Sequence, residues 1–545
     1  MTPAVDLRLF PASAAAWVAG LLVVRLPATW SWGGAAVCVA AWAVLMSRRR
    51  GSGRRLGPVR RHVPGGPGAG GRGRRRLSCG DAAIAPAAGV VLVVLAAVLG
   101  AGGVQRAVRA AGPLAQLAAE RAQVTVRGAL VGGPQTLSPG WPGAPVRVRV
   151  ELADVTVAVG RVDLGGGADA PDEAASGTEG VPVAGAARSA GRVVVLGPQG
   201  WASVPHGARV AVAGVLDQGR AGQRAVGVLV TDADPAQVRA PPPGHRLAAV
   251  VRAEVVRQSA GLSGDAGALL PGLAVGDTVA VPDGLHDALR TAGLTHLTAV
   301  SGGHFSLVAG LVLALATAVR LPRGWRAALV SAAMCALVVL VHPEPSVVRA
   351  AAMGTVGVLG LLLGRPARAP AALATAVIVL LVVDPWLAGE LGFVLSVLAT
   401  AGLVTLGVPL AERWSGRCGR PVALALALPV AAQLACAPAV LLVRPAVALY
   451  AAPANLLVAP VVGPATVLGL GAGVVGTWWP AVGHLLALGA GAACWWVGAV
   501  ARVVAALPGA EVSWLPGPAG GVALAVTCVS TARLLVWRRP ERRVR

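Results

Sequence analysis

The chain has 545 residues, is 55% hydrophobic, and carries a formal charge of +23 although only 13% of its residues are charged. Apolar runs of about 20 residues recur, the length that crosses a bilayer core, which excludes a soluble globular enzyme. No lysine occurs, which excludes a P-loop ATPase, because that motif needs a lysine to reach the phosphates.

The positive charge reads as topology rather than as a nucleic-acid patch. Arginines crowd the stretch between Arg48 and Arg76, flank later apolar runs, and form the tail "WRRPERRVR". Such clusters mark the cytoplasmic side of a membrane protein. The cysteines are scattered without a C-x-x-C pair, so neither a disulfide framework nor a zinc site is expected. No H-x-H, H-E-x-x-H or G-x-S-x-G occurs either.

In chain order, residues 1–110 hold three apolar segments, near 10–25, 28–46 and 82–104. The Arg-rich loop 47–80 between the second and third is expected to be cytoplasmic and disordered. Residues 120–235 change character. "AQVTVRGAL", "VRVRVEL", "GRVVVL", "ARVAVAGVL" and "AVGVLVTD" alternate with period two, which predicts half-buried strands. Their number and spacing fit a small barrel such as an OB-fold, placed outside the cytoplasm by the preceding crossings. In it, only Trp141 and Trp201 are candidates to stack on nucleic-acid bases, and the loop 163–180 is acidic.

Residues 244–293 read as amphipathic interfacial segments, with "HRLAAVVRAEVVRQSA" as a helix lying at the membrane surface. Residues 294–537 form a multi-helix domain, and 538–545 a basic cytoplasmic tail. Counting apolar runs, and testing them against the arginines at their ends, gives about twelve crossings. In that count 446–476 is one crossing broken by Pro453, Pro460 and Pro464, a feature of transport sites. Arg444 is the exception to the charge rule, sitting outside. The expected fold is thus a polytopic α-helical membrane protein with an inserted extracytoplasmic β-barrel, and both termini cytoplasmic.

Polar groups within the apolar half are the functional candidates, because each is costly at bilayer depth and faces a partner or a cavity. They are His296, Ser301, His304, Arg349, Glu390, Ser396, Gln433 and Asn455. Ser301 and His304 are three apart, the spacing of a nucleophile and its base on one helix face, but no third orienting group accompanies them. Packing and the lining of a polar passage are the other readings. His296 and His304 lack further ligands for a metal. No catalytic residue, metal or cofactor is therefore assigned.

"GLTHLTAVSGGHFSLVAG" at 293–310 resembles the signature of the ComEC family of competence membrane proteins. "PSVVRAAAMGTVGVLG" (345–360), "DPWLAGELGFVLSVLA" (384–399) and "QLACAPAVLLV…ALYAAPANLLVAPVVGP" (433–464) resemble further blocks of that family, in the same order. Gly303, Phe305 and Val394 differ from the usual pattern. The resemblance implies a plasma-membrane channel that admits single-stranded DNA to the cytoplasm during natural transformation, and in such a channel Arg349 and Arg444 are expected to offset phosphate charge at the outer mouth. It also implies a surface DNA receptor and a cytosolic ATPase or helicase as partners beside the lipid bilayer, and leaves a homo-oligomer open. Long members end in a metallo-β-lactamase-like domain that the resemblance implies degrades the non-entering strand; no such domain or nuclease activity is expected here. The rival readings are a secondary transporter for a small anion, and an intramembrane hydrolase built on Ser301 and His304.

Overall fold

A computed structural model describes residues 8–53, 79–137, 146–159, 187–189, 191–220, 222–298, 302–341, 345–363 and 369–536. Most of the Arg-rich loop, the acidic loop, Trp141, Ser301 and the basic tail lie outside these residues. The chain divides into two compact units, Met1–Val108 with Pro370–Ala388, and Arg109–Ala369 with Gly389–Arg545.

The first unit contains α1 (Phe10–Arg25), α2 (Ala28–Gly53) and most of α3 (Cys79–Ala111). Part of the stretch expected as loop is therefore helical, since α2 continues to Gly53. A later helix, Ala369–Val383, and the turn Pro385–Gly389 complete this unit. Trp17 Nε1 donates to the Ala388 carbonyl at 3.1 Å, and Arg106 Nη1 donates to the Val23 and Val24 carbonyls at 2.8 Å each. Arg106 thereby satisfies carbonyls that the end of α1 leaves without an intrahelical donor.

The second unit begins with the short α4 (Pro113–Ala119) and the strands β1 (Gln123–Leu137), β2 (Arg147–Val159), β3 (Ala187–Arg188), β4 (Arg192–Gly197), β5 (Arg209–Gln218), β6 (Ala225–Val230) and β7 (Ala236–Arg239). All five predicted strands form, and β3 and β7 are additions. The pairing path runs β1-β2-β4-β6-β5 and returns, because β5 also pairs with β1. Alternation builds the core. Val148, Val150 and Leu152 of β2 point inward, then Asp154 at φ 51 shifts the register so that Val155 and Val157 continue the inward row. An extra residue of this kind is a β-bulge. Trp201, expected as a stacking candidate, is fully buried in this core with Nε1 donating to the Ala233 carbonyl at 3.1 Å. It is a packing residue and offers no face to a base.

Three helices follow: α5 (Pro243–Ser259), α6 (Asp265–Val275) and α7 (Asp283–Thr291). α5 keeps the expected amphipathic character, with Leu247 and Val250 exposed and Val251 and Val255 buried. α6 departs from it. Leu269, Leu270, Leu273 and Val275 are all fully buried in the core that α6 shares with later helices.

The remaining elements are α8 (Gly302–Ala318), α9 (Arg323–Val341), α10 (Pro345–Leu362), α11 (Ala369–Val383, in the first unit), α12 (Leu391–Gly402), α13 (Val408–Cys418), α14 (Arg420–Leu441), β8 (Ala446–Ala448), α15 (Ala451–Gly476), α16 (Pro480–Ala505), β9 (Glu511–Ser513) and α17 (Gly517–Val536). A π-helical turn, Leu403–Gly407, joins α12 to α13, making one candidate span. Eight helical stretches among the described residues are long and apolar enough to cross a membrane. The other four predicted crossings correspond to shorter apolar helices, Phe10–Arg25, Gly302–Ala318, Ser346–Leu362 and Ala369–Val383.

The broken crossing expected at 446–476 does not form. Residues 446–448 are a strand paired with β9, and α15 runs unbroken for 26 residues from Ala451. Pro453 falls in the first turn, where a missing N–H costs no hydrogen bond. Beside Pro460, the Leu457 carbonyl accepts from Trp496 Nε1 of α16 at 3.0 Å.

Candidate functional site

Eight residues were candidates, and the described ones gather at two corners of the second unit. The first corner joins α8, α10 and α12. Arg349 sits in the first turns of α10 with only 4% of its surface exposed. Its Nε donates to Ser396 Oγ on α12 at 2.8 Å, and its Nη1 points at Met353 Sδ, one turn on, at 3.0 Å. Gly302 opens α8 directly against the guanidinium, where a Cβ on that glycine would lie 2.7 Å from Arg349 Nη2. A side chain there would displace the arginine.

No carboxylate among the described residues forms an ion pair with Arg349. That is an unusual state for a guanidinium, which does not shed its proton in proteins. Buried charges are ordinarily paired or coordinated, because isolated burial costs several kcal/mol. The polar contacts of Arg349 among the described residues are a hydroxyl and a thioether. They hold the fork in place without neutralising it.

Glu390 does not fill the role of counter-ion. It is half-buried at the N-cap position of α12 and makes no capping bond through its side chain. His304, in the first turn of α8, is buried beside Phe305, whose ring joins the α8–α9–α10 core with Met334, Leu337 and Val347. Ser301 lies outside the described residues, so the Ser301–His304 pair has no geometry to report.

The second corner is built on the turn between β8 and α15. Gln433 of α14 donates from Nε2 to the Ala448 carbonyl at 3.4 Å, and Asn455 donates from Nδ2 to the Ala451 carbonyl at 2.8 Å. Gly293, at φ 71, packs on the same turn, where a Cβ would lie 2.5 Å from Ala451 Cβ and 3.5 Å from Ala448 Cβ. A left-handed backbone and a close approach both demand glycine here. The next turn, Thr295–Leu297, carries His296, whose ring hydrogen-bonds the Gly293 backbone. His296 is surrounded by protein atoms at depth and yet its own surface is accessible.

The corners are connected. Gly293 lies at the Ala448–Ala451 turn, and Gly302, nine residues later in the chain, lies at the Arg349 guanidinium. On the other side α12 and α14 are in contact. Cys436 Sγ, three residues beyond Gln433, approaches the carbonyl of Leu395, the neighbour of Ser396, at 3.5 Å. A Cβ on Gly402 would meet the Ala431 carbonyl at 2.8 Å. Five of the candidates, His296, Arg349, Ser396, Gln433 and Asn455, therefore lie along one stretch of helix contacts.

Arg444, expected to offset negative charge at the outer mouth, is engaged elsewhere. Its Nη2 pairs with Glu511 Oε2 at 2.6 Å, across the β8–β9 ribbon. Sequence reasoning missed Gly302, Met353 and Gly293 as site residues. The glycine pair in "SGGH" and the methionine four residues after Arg349 were visible, but a close approach between helices leaves no mark in the chain order.

Among the described residues no group of three or more His, Cys, Asp or Glu side chains could hold a metal ion. Residues 273–540 match the family model described as Competence protein, a range that contains every candidate residue and both corners. No curated protein and no solved structure matches the chain.

Proposed function

Because residues 273–540 form a Competence domain, consistent with a ComEC-family competence protein with a role in DNA uptake, we propose that this chain is the membrane conduit through which single-stranded DNA reaches the cytoplasm. The observation that carries the reading is the buried Arg349 guanidinium, which has no carboxylate partner among the described residues and is fixed by Ser396 and Met353. Phosphodiester strands supply one negative charge per nucleotide. A fixed cation at depth lowers the cost of each passing phosphate, whose entry a negative-inside potential opposes by roughly 2.3 kcal/mol per charge per 100 mV. The Gln433 and Asn455 amides, the Ser396 hydroxyl and the His296 imidazole replace part of the hydration that the strand gives up.

The conduit is passive in this reading. A chain without lysine has no P-loop, so a cytosolic motor pulls and a surface receptor delivers. The β domain, read as an OB-like five-stranded barrel from its returning β1-β2-β4-β6-β5 path, stands outside the plasma membrane, and the termini are cytoplasmic. The reading assigns no catalytic step. The transporter alternative loses its main support, since the helix expected to be broken is continuous.

The test is import of labelled DNA in a transformable host whose own competence channel gene is replaced by this one. Removal of the gene leaves surface-bound label in place and stops its arrival in the cytoplasm. Arg349→Met at normal membrane abundance is expected to do the same. Import at the level of the unaltered protein in that variant would overturn the conduit mechanism.

A further inference from the structure

The described arginines of the β strands and the turn before them fall into two sets. Arg121, Arg147, Arg149 and Arg192 each have a carboxylate within reach, from Asp217, Asp232 or Glu151. Arg127, Arg188, Arg209 and Arg239 have none among the described residues. Strand register puts this second set on one face. Arg188 lies opposite Thr156, Thr156 opposite Arg127, and Arg127 opposite Ala211. Arg209 follows two residues from Ala211 along β5 and sits directly opposite Arg239 of β7. The core residues Val126, Val155, Val157, Val210 and Val212 alternate to the other face. Like charges directly opposite in neighbouring strands destabilise the pairing, and guanidinium groups do not relieve it by losing protons.

A hollow of about 400 Å³ opens on this face at the Asp154 bulge, lined by Asp154, Val155, Thr156, Arg188, Ser189 and Arg209. Ser189 is more than nine-tenths buried and its Oγ has no hydrogen-bond partner among the described residues; the buried Arg127 Nε, on the same sheet face, has none either. A buried hydroxyl left without a partner costs on the order of 1–3 kcal/mol, so an orphan at the wall of a hollow points to a ligand that supplies the missing bond.

We propose that this hollow is a binding site for a small phosphate-type oxyanion, either free phosphate or the phosphate of a lipid headgroup. The forks of Arg188 and Arg209 suit bidentate contact with tetrahedral oxyanions, and the Ser189 hydroxyl adds a donor. Asp154 is the single carboxylate among the described lining residues, and it weakens the site. No aromatic side chain is among the described lining residues, so they offer no platform for nucleic-acid bases. The volume lies in the ordinary range for small-molecule sites.

The test uses the full chain in maltoside micelles, titrated calorimetrically with inorganic phosphate, with glycerol 3-phosphate as the headgroup fragment, and with a thymidine oligonucleotide. Saturable binding of at least one small anion is expected, weakened at least about tenfold in the Arg188→Gln, Arg209→Gln double variant. Asp154→Asn is expected to tighten it severalfold, a gain that misfolding does not produce. Tighter binding of glycerol 3-phosphate than of phosphate assigns the site to headgroups, and the reverse or equality assigns it to free phosphate. Failure of both small anions to bind, binding equal across the variants, or binding of the oligonucleotide alone would overturn the proposal. The readout is independent of DNA import, so it stands or falls apart from the conduit.

Discussion

Arg349 and Arg444 both belong to the apolar half, and the structure gives them opposite surroundings. Arg444 reaches Glu511 at 2.6 Å and stays about one-third exposed, so its charge is spent on closing the β8–β9 ribbon. Arg349 is buried at 4% exposure and touches a hydroxyl, a thioether and a glycine. A paired arginine adds to structure. A buried one without a counter-ion costs stability, and such a cost is kept where function uses the charge.

The strongest way to break that comparison is Arg349→Met, which keeps the volume and removes the charge. DNA import is expected to fall about 100-fold, the scale of two to three kcal/mol at a charged contact. Thermal stability in detergent should hold or rise, because replacing an uncompensated buried charge by an apolar group relieves its desolvation. A large drop in melting temperature would show that Arg349 is structural after all.

A buried base of a different kind sharpens the contrast. His206 in the β domain is 7% exposed, hydrogen-bonded to the Gly132 carbonyl, and lies beside a tilted His245 ring with centroids 5.0 Å apart. Burial, with the nearby His245 and Arg252, pushes its pKa down to about 4. His206 escapes the cost of burial by staying neutral, a route closed to Arg349. Between the free value near 6.5 and about 4 the unfolded chain binds the extra proton and the folded one does not. Stability is therefore complete above pH 6.5 and declines as pH falls toward 4, by up to about 3 kcal/mol. Unfolding measured at pH 7.5 and 4.5 checks this, and His206→Gln should flatten the difference.

Arg444→Met should do the reverse of its counterpart. It strands the half-buried Glu511 carboxylate and lowers stability by about 1–2 kcal/mol, while import by the folded fraction stays within about threefold. Glu511→Gln in the same chain should recover part of the loss, as a double-mutant cycle would show. The smallest effect is expected from Ser396→Ala, which frees Arg349 Nε of one neutral partner. Import should drop by about fivefold, near 1 kcal/mol, with thermal stability unchanged.

Much of this molecule was legible before folding. The five alternating runs at 122–232 became β1, β2, β4, β5 and β6 because inward valines at every second position leave few other solutions. The polar candidates were found because hydrophilic groups stand out in an apolar chain. Position along the chain misled where a side chain's partner is distant. Trp201 looked available for stacking and is core, since its ring fills the space over Gly197 and its N–H finds Ala233. Three prolines suggested a broken helix, yet α15 is continuous from Ala451 to Gly476, with Pro453 in its first turn. Arg444 looked available for phosphate until Glu511, 67 residues later, met it.

By itself the sequence determined that the chain spans a membrane, where its strands lie, and which few polar side chains are expensive. Those follow from local composition and period, which each segment carries alone. Only tertiary structure decided which charges are neutralised, because a counter-ion is a matter of distance in space. It left Arg349 without one among the described residues, and it brought Gly302 of α8 and Ser396 of α12 to that guanidinium from two other helices.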